Sequence, residues 1–360
     1  MNDGIPPGPG RRNWLDSQLM QLTAVRFREF LREPEALFWV FIFPILMAAG
    51  LGIAFRSRGA DSVAVAVVES AAPGHREIAK KLSGSKGIDV RVMTIDSALV
   101  ALRKGKIALI AVDTGTGTID YRFDPLRDES RTARLVFNDA VQEVLGRVDA
   151  VASMDEHVTE RGSRYIDFVI PGLLGMNLLG SGVWGLGFAL VDMRRKKLLK
   201  RLVATPMSRV QFLGSFLLSR LILLVVEVAV LIGFGVLAFQ VPLSGPLWVL
   251  ALVCVMGSLC FSGLGLLISS RVRTMEGASG LMNAAMLPMW ILSGVFFSSS
   301  HFPAVMQPLV HALPLTAVND ALRANMLEGA SLQGILPELV LIVAWAIVCF
   351  ALALRLFRWK

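Results

Sequence analysis

Three cysteines, four histidines and an 18% share of charged residues leave little room for several kinds of chemistry. Cys254, Cys260 and Cys349 all fall inside apolar blocks, which excludes both a disulfide framework and the paired spacing of thiolate metal ligands. His75, His157, His301 and His311 are scattered and form no ligand cluster, so metal chemistry is not expected. No G-x-x-x-x-G-K-[ST] stretch occurs, and without it the chain lacks the usual loop of backbone amides that cradles ATP phosphates. The apolar blocks offer no nucleophile beside a base, and there is no internal repeat and no low-complexity tract beyond "GIPPGPG".

Apolar surface is what the chain has in excess. Of its 360 residues 54% are hydrophobic and the mean hydropathy is +0.61, outside the usual range of a soluble domain. These residues gather in six runs near 37–55, 166–191, 212–239, 246–270, 277–297 and 335–357. Each has about the length a helix needs to cross a hydrocarbon core roughly 30 Å thick. The first 35 residues are polar and charged and do not follow the plan of a cleaved leader, so the first run is expected to remain as an anchor. The fold class expected is a multi-pass α-helical membrane protein with six transmembrane helices and a small α/β extracytoplasmic domain between helices 1 and 2.

Orientation follows from lysine and arginine in short loops, because these residues resist translocation. The N-terminal segment holds five (Arg11, Arg12, Arg26, Arg28, Arg32), the 192–211 loop seven, the 271–276 turn two and the tail three (Arg355, Arg358, Lys360). On the other side "QVPLSGP" has none and 298–334 only Arg323. Both termini are therefore expected on the cytoplasmic side. The net charge of +8 then reports topology and gives no case for nucleic acid.

The same alternation puts 56–165 outside, where 17 basic residues nearly balance 16 acidic ones. Strand-like runs at 63–69, 88–93, 107–113 and 118–124 alternate with short helical stretches near 76–82 and 97–104. A longer helix follows, with Val141, Val144, Leu145, Val148 and Val151 spaced as one apolar stripe. The expected domains are thus 1–35 with an interfacial helix, 36–55 as the first span, 56–165 outside, and 166–360 with the remaining five spans.

Between the second and third spans lies "RRKKLLKRLVATPMSR", with six basic residues in its first eight positions. At 100° per residue Lys196, Lys197, Lys200 and Arg201 share one side and Leu198, Leu199, Leu202 and Val203 the other. Thr205 before Pro206 suits a helix start, so a short helix over 194–205 should lie flat on the membrane surface. Upstream, Leu15, Leu19, Leu22 and Phe30 face one way and Gln18, Gln21, Arg28 and Arg32 the other, with Val25 and Arg26 breaking the pattern. Inside the third span Arg220 and Glu227 are seven apart and share a face, which reads either as an intramembrane pair or as part of a translocation path. Pro303, Pro308 and Pro314 forbid one continuous helix over 298–334, so this stretch should be a broken external hairpin.

"RRKKLLKRLVATPMSRVQFLGSFLLSR" resembles the loop between the second and third spans of type-2 ABC (ATP-binding cassette) export permeases, and "LSGVFFSSSHFPAVMQPLVHALPLTAVNDALRANMLEG" resembles that family's external hairpin. The order of one helix, an external domain and five helices fits as well. Many members carry acidic residues and a Gly-Thr ahead of the coupling leucines, whereas this chain has "DMRRKKLLKRL".

The resemblance implies a transport subunit and no enzyme, with ATP and Mg on a separate nucleotide-binding subunit and a second permease chain, the same or a sister, completing the exporter. It implies ATPase coupling through Lys197, Leu198, Leu199, Lys200, Arg201, Leu202, Thr205 and Pro206, and a connecting helix bearing Arg26, Phe27, Arg28 and Phe30. The hairpin at the outer exit would carry Gly294, Phe296, Phe297, Pro303, Pro314, Asp320 and Arg323, the last two as an i,i+3 pair. An amphipathic or lipid-like cargo suits a bundle with so few polar residues. The competing classes are an ion-coupled secondary transporter and a membrane sensor or scaffold with a ligand-binding external domain.

Overall fold

The computed structural model describes residues 18–55, 63–69, 79–82, 87–114, 118–147, 162, 164–197, 209–272 and 274–356. The chain divides into two compact units, one formed by Met1–Arg56 with Thr159–Lys360 and the other by Ser57–Val158.

The smaller unit is a four-stranded sheet in the order β2-β1-β3-β4. Its strands are β1 (Val63–Val68), β2 (Ile88–Met93), β3 (Leu109–Asp113) and β4 (Ile119–Arg122). β1 runs parallel to β2 with Val63 opposite Ile88, and parallel to β3 with Val65 opposite Leu109. β4 returns antiparallel, with Ile110 opposite Arg122. A central strand covered on both faces needs apolar residues at every position, which is why β1 reads VAVAVV without alternation. Its Val65 and Val67 pack with Ala133, Phe137 and Val141 of helix α4 (Asp128–Val144). Ala66 and Val68 pack on the other face with Ala98 of helix α3 (Ile95–Arg103).

The stripe expected on the long helix is shifted in the structure. α4 buries Ser130, Ala133, Phe137 and Val141 at steps of three and four, while Leu145 falls after the helix and is 65% exposed. Val148 and Val151 lie outside the described residues. The difference is one of register, since a stripe read from its C-terminal end continues past the point where the helix stops.

The larger unit is helical. Among the described residues five helices are long and apolar enough to cross a membrane: α2 (Pro34–Ala54), α5 (Tyr165–Arg195), α6 over Leu217–Phe239, α7 (Leu247–Ser269) and α11 (Leu336–Leu356). α6 as a whole runs Arg209–Phe239. The stretch expected to give a further span forms α8 (Met275–Leu292), 18 residues with Glu276 in its first turn, and α8 is not among those five. Shorter helices complete the unit: α1 (Gln18–Leu31), α9 (Gln307–Ala312) and α10 (Pro314–Met326).

α5 and α7 form the centre, because small residues let their backbones touch. A Cβ on Gly182 would lie 2.8 Å from Phe261 Cβ, and one on Gly265 would lie 2.6 Å from the Val183 carbonyl oxygen. α2 and α11 instead expose much of their length, including Trp39, Leu46, Val340 and Ile347, the composition expected of faces turned to lipid or another apolar surface.

Candidate functional site

α6 carries the bundle's buried charge pair. Arg220 and Glu227 are two turns apart on one helix and 9% and 1% exposed. Arg220 Nη1 donates to Glu227 Oε1 at 2.6 Å and Nη2 to Oε2 at 3.0 Å, a two-pronged contact. Nη2 also donates to Ser181 Oγ on α5 at 2.6 Å. The Ser181 hydroxyl sits 3.1 Å from Glu227 Oε2 and 2.6 Å from the Asn177 carbonyl, either of which can accept its proton. A desolvated charge is tolerated when its partner and further hydrogen bonds satisfy it, and here both Nη atoms are engaged while Arg220 Nε has no partner among the described residues. Of the two readings open in the sequence, the geometry favours the pair.

Ser181 and Asn177 were not singled out from the sequence, yet they extend this network to a third helix. Asn177 Nδ2 donates to the Val40 carbonyl at 3.1 Å. That carbonyl lacks an ordinary helical donor because the residue four ahead is Pro44, which has no N–H. The backbone over Phe38–Ile42 widens just before this proline. The signal available beforehand was the pairing of a proline in one apolar run with an amide in another, a match that cannot be assigned without the packing.

At one end of the bundle Asp167, fully buried, caps the start of α5. It accepts from the backbone amides of Gly162 and Arg164 at 3.1 and 3.2 Å and from Arg164 Nη2 at 2.8 Å. Arg164 Nη2 reaches on to the Phe239 carbonyl at 2.8 Å, a C-terminal oxygen of α6 left unpaired by helix geometry.

The hairpin meets the same end. Tyr165 donates its hydroxyl proton to the Phe296 carbonyl at 2.9 Å, and the Ser244 amide donates to the Met326 carbonyl at 2.9 Å. Gly294 sits at φ +68 in the turn after α8, where a side chain would be strained. Phe296 is half-buried, while Phe297 is 44% exposed and stacks at 5.7 Å on Phe302. Pro303 is exposed, and Pro314 is buried at the first position of α10.

Arg323 does more than pair with Asp320. The two stand 3.8 Å apart, whereas the guanidinium donates to the Gly294 carbonyl and lies 3.7 Å from the centre of the Phe168 ring. It therefore joins α10 to α5 and to the turn after α8. Burial pushes the Asp320 carboxyl above its usual range, against the opposing pull of Arg323 and His311. Next to it Asn319 Nδ2 donates to the Ser293 carbonyl at 2.8 Å, packed so tightly that a Cβ on Gly175 would fall 2.0 Å from Asn319 Oδ1.

At the opposite end α5 stops at Arg195, and Lys197 has a left-handed φ of 57. The helix expected over 194–205 is therefore interrupted at Lys197. Lys196 Nζ instead pairs with Asp192 at 2.7 Å. Leu198, Leu199, Lys200, Arg201, Leu202, Thr205 and Pro206 lie outside the described residues. The segment rejoins the described chain at Arg209, the start of α6, and α6 packs against α1.

On α1 the half-buried face carries Phe27 and Phe30 around a buried Thr23, with Arg28 exposed and Val25 48% exposed. This resolves the break at Val25, which stands off the packed face. Arg26 is part of the same helix. Phe30 meets Phe41 edge-on at 6.4 Å, joining α1 to α2.

This arrangement of apolar helices, a charge pair closed on itself and a broken hairpin defines a multi-pass helical membrane permease. The family model described as "ABC-2 family transporter protein" matches residues 34–355. The chain belongs to this family.

It is 27% identical over 195 residues to ABC transporter G family member 20 of Dictyostelium discoideum, covering 53% of this chain and 26% of that protein. It is 26% identical over 166 residues to the probable multidrug ABC transporter permease YbhR of Escherichia coli, covering 46% and 45%. To the probable multidrug permease YbhS of the same organism it is 21% identical over 350 residues, covering 90% and 92%. The chain thus spans less than half the length of the first two relatives and nearly all of the third.

Proposed function

We propose that the chain is the permease subunit of an ATP-driven exporter in a bacterial cytoplasmic membrane, moving an amphipathic or lipid-like molecule such as a drug or lipid out of the cytoplasm or inner leaflet. A separate nucleotide-binding subunit supplies the energy from ATP and Mg, a second permease chain completes the path, and force enters through the 194–205 segment. Six helices cross the membrane, with both termini inside and the sheet unit outside.

The observation that carries this reading is the separation of cations between the ends of the helical unit. Arg195, Lys196, Lys197 and Arg271 are exposed at the end where α5 and α7 stop and α8 begins. The opposite end holds Arg164, paired with Asp167 and the Phe239 carbonyl, and Arg323, bonded to the Gly294 carbonyl. An excess of exposed cations on one side supports this orientation, because lysine and arginine resist translocation. α8 supports the sixth crossing: its 18 residues extend about 27 Å, from the arginine-rich end to the Gly294 turn.

The name of the bacterial relatives supports a drug-like cargo, and few buried polar residues suit it. An ion-coupled carrier gains nothing from Arg220 and Glu227, since each satisfies the other. The test is reconstitution with a nucleotide-binding subunit that co-purifies with the chain. Leu199→Asp combined with Leu202→Asp is expected to abolish stimulation of ATP hydrolysis and transport together; unchanged stimulation and transport would remove the coupling assignment.

A further inference from the structure

The six cations of the basic stretch do not all face outward. Arg194 turns back into the bundle: its Nη1 donates to the Ser269 carbonyl at 2.9 Å and the Val272 carbonyl at 2.7 Å, and its Nη2 to the Ser270 carbonyl at 3.2 Å. These are oxygens at and just beyond the C-terminus of α7, which have no helical donor and carry the negative end of the helix dipole. One guanidinium therefore satisfies three of them and neutralises the dipole at once.

Directly beneath, a separate apolar cluster joins the same elements. Leu186, Leu190 and Met193 of α5 pack with Leu266 of α7 and Ala353 of α11. Beside Leu186, a Cβ on Gly187 would lie 3.1 Å from the Gly265 carbonyl. From Gly182 to Arg194 the two central helices are thus held by backbone contact, then apolar packing, then the guanidinium.

We propose that Arg194 is a positioning residue for energy coupling: it fixes the inner end of α5 to the α7–α8 turn, so that force on the segment after Lys197 moves α6 against a rigid α5–α7 block. This rests on the exporter reading above. Its physical basis is that a link transmits force only if one of its ends is anchored. The link begins three residues beyond Arg194, after the left-handed Lys197, and ends at α6, which packs on α1. With the staple cut, the same push would tilt the end of α5 and be lost before it reached the bundle. Arg194 thereby leaves the set of cations that meet lipid headgroups or the ATPase surface.

The experiment uses the full permease with its ATPase in proteoliposomes, with Arg194→Ala, Arg194→Lys and Lys200→Ala, reading co-purification of the ATPase, ATP hydrolysis and cargo moved per ATP. Arg194→Ala should retain the ATPase and hydrolysis within about twofold yet lower cargo per ATP by roughly tenfold. Arg194→Lys, which keeps the charge but reaches fewer carbonyls, should fall between. Lys200→Ala should change ATPase retention more than transport per ATP.

Cargo per ATP within twofold of wild type in Arg194→Ala overturns the proposal, as does loss of ATPase binding in that variant, which would make Arg194 a docking contact. Where Arg194→Ala does not accumulate, Arg194→Lys decides on the same ratio: a drop supports the staple and wild-type coupling overturns it. Absence of ATP-driven transport in the wild-type pair would instead count against the exporter reading.

Discussion

Removing the negative charge at position 227 separates a structural pair from a transport role. In Glu227→Gln the Arg220 guanidinium, 9% exposed, keeps its charge but loses the carboxylate that holds it at 2.6 and 3.0 Å. Breaking a buried pair by deleting one partner costs about 3–5 kcal/mol. The glutamine oxygen still accepts one hydrogen bond and Ser181 remains in place, so the lower part of that range is expected. Replacing both residues with apolar ones of similar volume leaves no orphaned charge, and such replacements are often neutral or better. Arg220→Met with Glu227→Met should therefore recover to within about 1 kcal/mol of wild type, with Ser181 falling back on the Asn177 carbonyl. The assay is heat resistance of purified protein in nanodiscs, read as the folded fraction surviving a fixed challenge, together with transport. Should Glu227→Gln prove as heat-resistant as wild type while transport is lost, or should the double variant fall below both single ones, the pair reading is refuted.

Three further outcomes are expected from the packing. Asn177→Leu strips a donor from the Val40 carbonyl, whose usual i+4 donor is missing at Pro44, and should cost about 1–3 kcal/mol; heat resistance equal to wild type would show that this contact is dispensable. Gly175→Ala drives a methyl group to 2.0 Å from Asn319 Oδ1 and should destabilise by about 1–3 kcal/mol, with Asn319→Ala in the same chain restoring part of the loss. Phe137→Ala empties the main anchor of α4 on the sheet, a side chain 1% exposed, at about 3–5 kcal/mol. Limited proteolysis of the full chain should then cut within 57–158 and spare the helical unit, and equal cleavage of both would refute the independence of the two cores.

The elements legible in the sequence were those in which composition and period act locally. Uninterrupted apolar runs placed the spanning helices within a few residues, because lipid demands that every backbone group be satisfied inside the helix. β1 was legible because its six apolar residues have no helical spacing. α8 was harder, since Glu276, Asn283 and Pro288 dilute its apolar character.

The polar contacts were not legible in the same way. Spacing put Arg220 and Glu227 on one face, but it could not supply Ser181 from another helix. The i,i+3 rule joined Asp320 to Arg323, yet the guanidinium is better satisfied by Gly294 and Phe168, far away in sequence. Periodicity assigned Lys196 and Lys197 to a common cationic face, and the left-handed turn at Lys197 ended the helix that this required.

The sequence alone determined that this is a multi-pass membrane permease with its cations crowded at one set of short loops. Those properties are sums over many residues, and a sum survives local error. Only the tertiary structure decided which cations are spent inside the bundle: Arg164 on the end of α6, Arg194 on the end of α7, Arg220 on Glu227 and Arg323 on the turn after α8. A guanidinium is satisfied by oxygens within about 3 Å of it, and most of these oxygens arrive from helices that meet only once the chain has packed.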